Sequence, residues 1–227
     1  MPLTDIDAVV FDVYGTLLDV DSIEARRREV APEAAGLVGL WRSKQLEYSF
    51  VRTLVDDYVD FWAITEAALD YALATLGVAL DPARRTRLLD AWLALAPFPE
   101  VPAALAALAG RPLAVLSNGS PSMLDAALTH AGLKPLFAAV LSADTVRRFK
   151  PHPAVYALAP AWLRMPAARV LFCSANGFDV AGAWRFGLRV CRVSRDGRPI
   201  DALGVEPDAT IRSLAELPAL LEQGTSA

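Results

Sequence analysis

The chain reads as an α/β protein, a doubly wound parallel sheet with an α-helical cap inserted after its first strand. Three observations predict this. Short runs rich in Val, Leu and Ile recur along the chain at residues 7–11, 113–117, 139–142, 170–173 and 188–193, with a weaker one at 209–211. Helical patterns separate the later runs, at 101–109, 121–131, 153–162 and 179–186. A third stretch, between the first two strands, has helical composition and period and no convincing strand.

Each element follows from its pattern. Continuous apolar strands, unlike alternating ones, are buried on both faces, and their alternation with helices is the signature of a Rossmann-like parallel sheet. The inserted stretch divides the chain into a core, residues 1–19 and 97–227, and a helical cap, residues 20–96. The insertion starts just past the first strand, so the cap lies over the carboxyl edge of the sheet, where open α/β sheets bind their ligands. Pro97-Phe98-Pro99 reads as the hinge back into the core.

Composition narrows the function. A chain of 227 residues with 54% apolar and 21% charged residues is globular. A net charge of −4 provides no basic footprint, which argues against a nucleic-acid partner. The first five residues, Met1-Pro2-Leu3-Thr4-Asp5, lack the basic and apolar regions of a signal peptide, and no apolar run is long enough to span a bilayer. A cytoplasmic location and no membrane partner are expected. Cys173 and Cys191, each in an apolar segment, could pair, but read as buried free thiols in a reducing cytoplasm.

In a parallel sheet the loops that follow the strands share one edge, whatever their separation in sequence. Four such loops carry polar groups. The first has Asp12, Tyr14 and Thr16 around Gly15; the second is Ser117-Asn118-Gly119-Ser120-Pro121. The third holds Lys150 between Phe149 and Pro151; the fourth is Ser174-Ala175-Asn176-Gly177-Phe178-Asp179. Singly, each has a structural reading: Asp as a turn former, Ser120-Pro121 as a helix cap, Lys150 as a solvated cation, Asp179 as a partner of a helix dipole. Together at one edge they read as an active site with Asp12 as nucleophile.

The order Asp12…Thr16, Ser117-Asn118, Lys150-Pro151 and Asp179 resembles the haloacid dehalogenase superfamily over nearly the whole chain. Magnesium phosphatases of that superfamily carry an acid two residues past the nucleophile and paired acids in the fourth loop. This chain has Tyr14, Ser174 and Asn176 there, a poor set for a hard cation that takes carboxylate oxygens. No metal and no cofactor are therefore expected. What remains resembles the (S)-2-haloacid dehalogenases. The stretches that carry the likeness are residues 11–17, 40–48, 117–119, 149–151 and 176–179. In the cap stretch Arg42, Gln45 and Leu46 share a helical face.

The resemblance implies hydrolysis of (S)-2-haloalkanoic acids to (R)-2-hydroxy acids through an aspartyl ester. Asp12 attacks the α-carbon, Lys150 favours its ionised form, and Thr16 orients it. Asp179 is the base for water, with Ser174 and Asn176 positioning that water. Ser117 holds the substrate carboxylate. Arg42 and Asn118, with the ring edge of Phe178, cradle the halide. Tyr14, Leu46, Phe61 and Phe178 wall the α-substituent, and Tyr156 stands behind them. The chain departs from its relatives at Ser43, where they often have glutamine, and at Ala175, where they often have serine. The partner implied is a small 2-haloacid, and the Trp- and Leu-rich cap together with the resemblance points to a homodimer. Competing readings are a hydrolase of another activated bond in a small acid such as azetidine-2-carboxylate, a phosphatase, and a binding relative without catalysis.

Overall fold

The structure, a computed structural model, describes residue 3 and residues 5–223. Met1, Pro2 and Thr4, on which the expectation about a signal peptide partly rests, lie outside the described residues. Six strands form one parallel sheet: β1 (Ala8–Phe11), β2 (Leu113–Ser117), β3 (Ala139–Ser142), β4 (Val170–Ser174), β5 (Arg189–Val193) and β6 (Ala209–Ile211), in the spatial order β3-β2-β1-β4-β5-β6. All pairings are parallel, and β1 is central, with Val10 opposite Ala114 on one side and Phe172 on the other. Every residue of β1, β2 and β4 is buried, so both faces of the sheet centre are covered.

Four longer helices stand between β1 and the rest of the sheet: α1 (Ile23–Val30), α2 (Leu37–Leu54), α3 (Phe61–Thr75) and α4 (Pro82–Asp90). They form the inserted helical cap. Asp60 and Asp81 cap α3 and α4 by accepting from backbone N–H groups, and Pro82 opens α4, where its missing donor costs nothing. Trp41 of α2 donates its indole N–H to the Thr65 carbonyl of α3 at 2.8 Å, fixing the two longest cap helices against each other.

The core helices are α5 (Val101–Ala107), α6 (Pro121–His130), α7 (Pro153–Tyr156), α8 (Leu158–Leu163), α9 (Gly177–Phe186) and α10 (Leu217–Gln223). Two differ from the sequence pattern. The predicted helix over 153–162 is broken between Tyr156 and Leu158. Pro160 is the reason, because it lacks an N–H and its ring opposes the carbonyl four residues earlier, that of Tyr156. Helix α9 starts at Gly177, two residues before the expected start, which places Asp179 in its first turn.

The two chain crossings between sheet and cap are bonded to each other. Asp19 N–H donates to Ala96 O at 2.8 Å and Phe98 N–H to Leu17 O at 3.0 Å. Arg195, just past β5, sits over the Phe98 ring at 3.6 Å, pairs with Glu100 at 2.8 Å and donates to Thr16 O at 2.9 Å. Among the described residues, no helix is long and apolar enough to cross a membrane.

Candidate active site

Strand β1 hands the chain to a tight turn. Asp12 N–H still bonds the Cys173 carbonyl of β4 at 3.0 Å, and Gly15 then takes a φ of 85°, open to glycine and costly for other residues. The turn brings Thr16 back to its own strand end, where Thr16 Oγ1 donates to Asp12 Oδ2 at 2.9 Å. Asn176, past β4, donates Nδ2 to the same oxygen at 2.8 Å. The strand order reverses between β1 and β4, so these two loops flank the crevice where such sheets bind ligands.

The other oxygen, Asp12 Oδ1, faces Lys150. The ammonium lies 3.1 Å from it and 2.9 Å from Asp179 Oδ2, and the lysine is only 1% exposed. Asn118 Oδ1 accepts from the Lys150 backbone N–H at 2.8 Å, fixing the base of that side chain. Tyr156 donates its hydroxyl to Asp179 Oδ1 at 2.8 Å. Its fit is close: a Cβ added to Gly182 would lie 2.5 Å from the Tyr156 hydroxyl, so only glycine leaves room there. Burial pushes the Asp179 carboxyl up to about 6, while Lys150 pulls it down.

The roof comes from the cap. Arg42 donates to Gln45 Oε1 at 2.6 Å, Gln45 Nε2 donates to Thr65 Oγ1 at 2.7 Å, and that hydroxyl donates to Phe61 O. The guanidinium also lies 5.7 Å from the centre of the Trp92 ring. Burial lowers the Arg42 pKa, and the nearby Asp12 carboxylate opposes that shift. Tyr14 packs between the Phe61 and Trp92 rings at 6.5 and 5.7 Å. Burial pushes its phenol up, so the O–H is retained.

These groups enclose a cavity of about 10 Å³. Asp12, Tyr14, Arg42, Leu46, Phe61, Ser117, Asn118, Lys150, Asn176 and Phe178 line it, ten of the residues expected from sequence. The other four, Thr16, Ser174, Tyr156 and Asp179, lie beneath: Thr16, Tyr156 and Asp179 in the bonds just given, and Ser174 accepting from Asn176 N–H at 3.1 Å. Asp179 is wholly buried behind Lys150. The donor set does not fit a divalent cation. An ammonium holds the position between the two carboxylates, and among the described residues no three His, Cys, Asp or Glu side chains converge.

Sequence reasoning missed Trp92, Thr65 and Arg195. Arg195 follows β5 and obeys the same edge rule as the four loops that were read. Trp92 and Thr65 carry no local signal, since only the folded cap brings them to Arg42.

Known proteins resemble this chain over most of its length. Residues 6–187 match the family of haloacid dehalogenase-like hydrolases. The (S)-2-haloacid dehalogenase of Pseudomonas sp. (strain YL) is 43% identical over 220 residues, covering 96% of this chain and 95% of that protein. That of Xanthobacter autotrophicus is 48% identical over 191 residues, covering 84% and 76%. A solved structure of the L-2-haloacid dehalogenase from Xanthobacter autotrophicus, with chloropropionic acid covalently bound, superimposes with a TM-score of 0.89 at 40% identity and covers 95% of this chain and 98% of its own. The chain belongs to the (S)-2-haloacid dehalogenase family of haloacid dehalogenase-like hydrolases.

Proposed function

We propose that the protein hydrolyses (S)-2-haloalkanoic acids to (R)-2-hydroxy acids, with Asp12 as nucleophile and no metal. The observation that carries this reading is the unequal bonding of the Asp12 carboxylate. Oδ2 accepts from both Thr16 and Asn176, whereas Oδ1 has the Lys150 ammonium alone. Oδ1 therefore keeps the lone pair that in-line attack on the α-carbon requires. Attack forms the Oδ1–carbon bond, breaks the carbon–halogen bond and inverts the carbon. The halide leaves with the bond pair towards Arg42, Asn118 and the Phe178 edge. Asn118 Oδ1 is engaged by Lys150 N–H, so its Nδ2 is the end offered to an anion. Ser117 takes the substrate carboxylate.

In the ester, Oδ2 is the carbonyl oxygen. Thr16 Oγ1 and Asn176 Nδ2 then become an oxyanion hole for the second step, already aimed at the atom that gains charge. Asp179 takes the proton of the attacking water, with Ser174 and Asn176 positioning that water. Collapse expels the hydroxy acid and restores Asp12. Residues 20–96 act as a cap that opens to admit substrate, because a cavity of about 10 Å³ is too small for the acid. A homodimer fits the apolar surface left at Val51, Val55, Tyr71 and Leu76 of the cap.

The following outcomes test the reading. In excess EDTA, (S)-2-chloropropionate releases chloride and the (R) form does not, and Asp12→Asn abolishes release. No chloride from the (S) form, or dependence on magnesium, would contradict it. The turnover rate falls as pH drops through about 6. Asp179 has a raised pKa, so it is ionised above that pH and protonated below it, about tenfold less base per unit of pH. A rate that is flat from pH 7 to pH 5 would remove Asp179 as the base. Lys150→Met leaves two buried carboxylates facing each other. It should lower the unfolding free energy by about 3–5 kcal/mol at neutral pH, measured by urea unfolding, and abolish turnover.

A further inference from the structure

Outside the catalytic cavity, on the far side of Phe178, lies an apolar groove of about 700 Å³. Its walls continue those of the active site. On α2 the residues at successive turns are Arg42, Leu46, Phe50 and Leu54. The first two line the cavity, and the last two line the groove. On α9 Phe178 lines both, and Ala181 and Gly182, one turn on, line the groove alone. Lys150 is likewise shared. At the boundary of the two spaces the Phe50 and Phe178 rings meet edge to face, 5.2 Å apart.

We propose that Phe50 and Phe178 form a gate, and that the groove behind it is a subsite for the alkyl chain of 2-haloacids longer than propionate. The proposal rests on the dehalogenase reading and names its substrate class. Two observations favour an alkyl chain as the occupant. The groove shares Phe178, part of the apolar wall around the α-substituent, with the cavity. Its lining is apolar apart from Thr53, Lys150, His152 and Arg185, with no carboxylate to repel an anionic acid. The other cleft that meets the site, about 490 Å³ past Tyr14 and Asn176, is lined by Arg192, Arg195, Asp19 and Asp201 among others and suits charged groups. In this proposal the half-buried Phe50 ring turns aside to join cavity to groove. Each methylene placed there is worth up to about 0.8 kcal/mol, roughly fourfold in kcat/KM.

The test compares bromide release from (S)-2-bromopropionate and (S)-2-bromooctanoate in the full chain and two variants. Phe50→Ala removes the gate ring, and the long-to-short ratio of kcat/KM should rise roughly fivefold or more. Leu203→Glu puts a charge into the groove wall at an exposed position that does not threaten folding. There the ratio should fall. No bromide from the short acid in the unaltered protein would overturn the dehalogenase reading and the subsite with it. Bromide from the short acid, with a ratio that neither variant moves, would overturn the gate and the subsite and leave the dehalogenase reading standing.

Discussion

The Lys150 ammonium, buried between Asp12 and Asp179, is the interaction on which the rest of the site depends. Two carboxylates this deep in a protein cannot both stay ionised without a cation, since burial penalises each charge and each repels the other. Lysine supplies that cation from within the chain. The surrounding bonds hold the triad in place: Asn118 fixes the lysine backbone, Tyr156 the far oxygen of Asp179, and Thr16 and Asn176 the far oxygen of Asp12. The chemistry follows from this arrangement. The ammonium fills the place between the two carboxylates, and in the proposed chemistry Asp12 offers one oxygen for attack and keeps the other in a prepared oxyanion hole.

The cap is tied to the same centre by a small number of contacts. The crossing strands pair with each other, and Arg195 joins the Phe98 ring and Glu100 to the Thr16 carbonyl. These contacts tie the crossing segments to the turn that carries Asp12. At the other end of the cap, the bonds from Arg42 through Gln45 to Thr65 fix the guanidinium within the cap itself. In the proposed closure of the cap the arginine moves as part of the roof.

Much of this was legible in the sequence, and the reason is topological. Parallel strands deliver their following loops to one edge, so Asp12, Asn118, Lys150 and Asn176 could be grouped across more than 160 residues without coordinates. The helical spacing of Arg42 and Leu46 likewise fixed their common face. What stayed hidden depends on packing between elements. The distribution of donors over the two Asp12 oxygens needs atomic positions, as does the seating of Asp179 behind Lys150 and not on the cavity wall. Trp92 reaches Arg42 only because the cap folds back on itself. Arg195 and the break at Pro160 were readable by rules already in use, the edge rule for loops and the missing N–H of proline.

The central claim is that water attacks the carbonyl carbon of an Asp12 ester and not the substrate carbon. A single turnover of (S)-2-chloropropionate, with enzyme in excess and in water enriched in heavy oxygen, tests it directly by mass spectrometry. The account predicts heavy oxygen in the Asp12 carboxylate and ordinary oxygen in the (R)-2-hydroxypropionate released. Heavy oxygen in the product, with none in the Asp12 peptide, would contradict it.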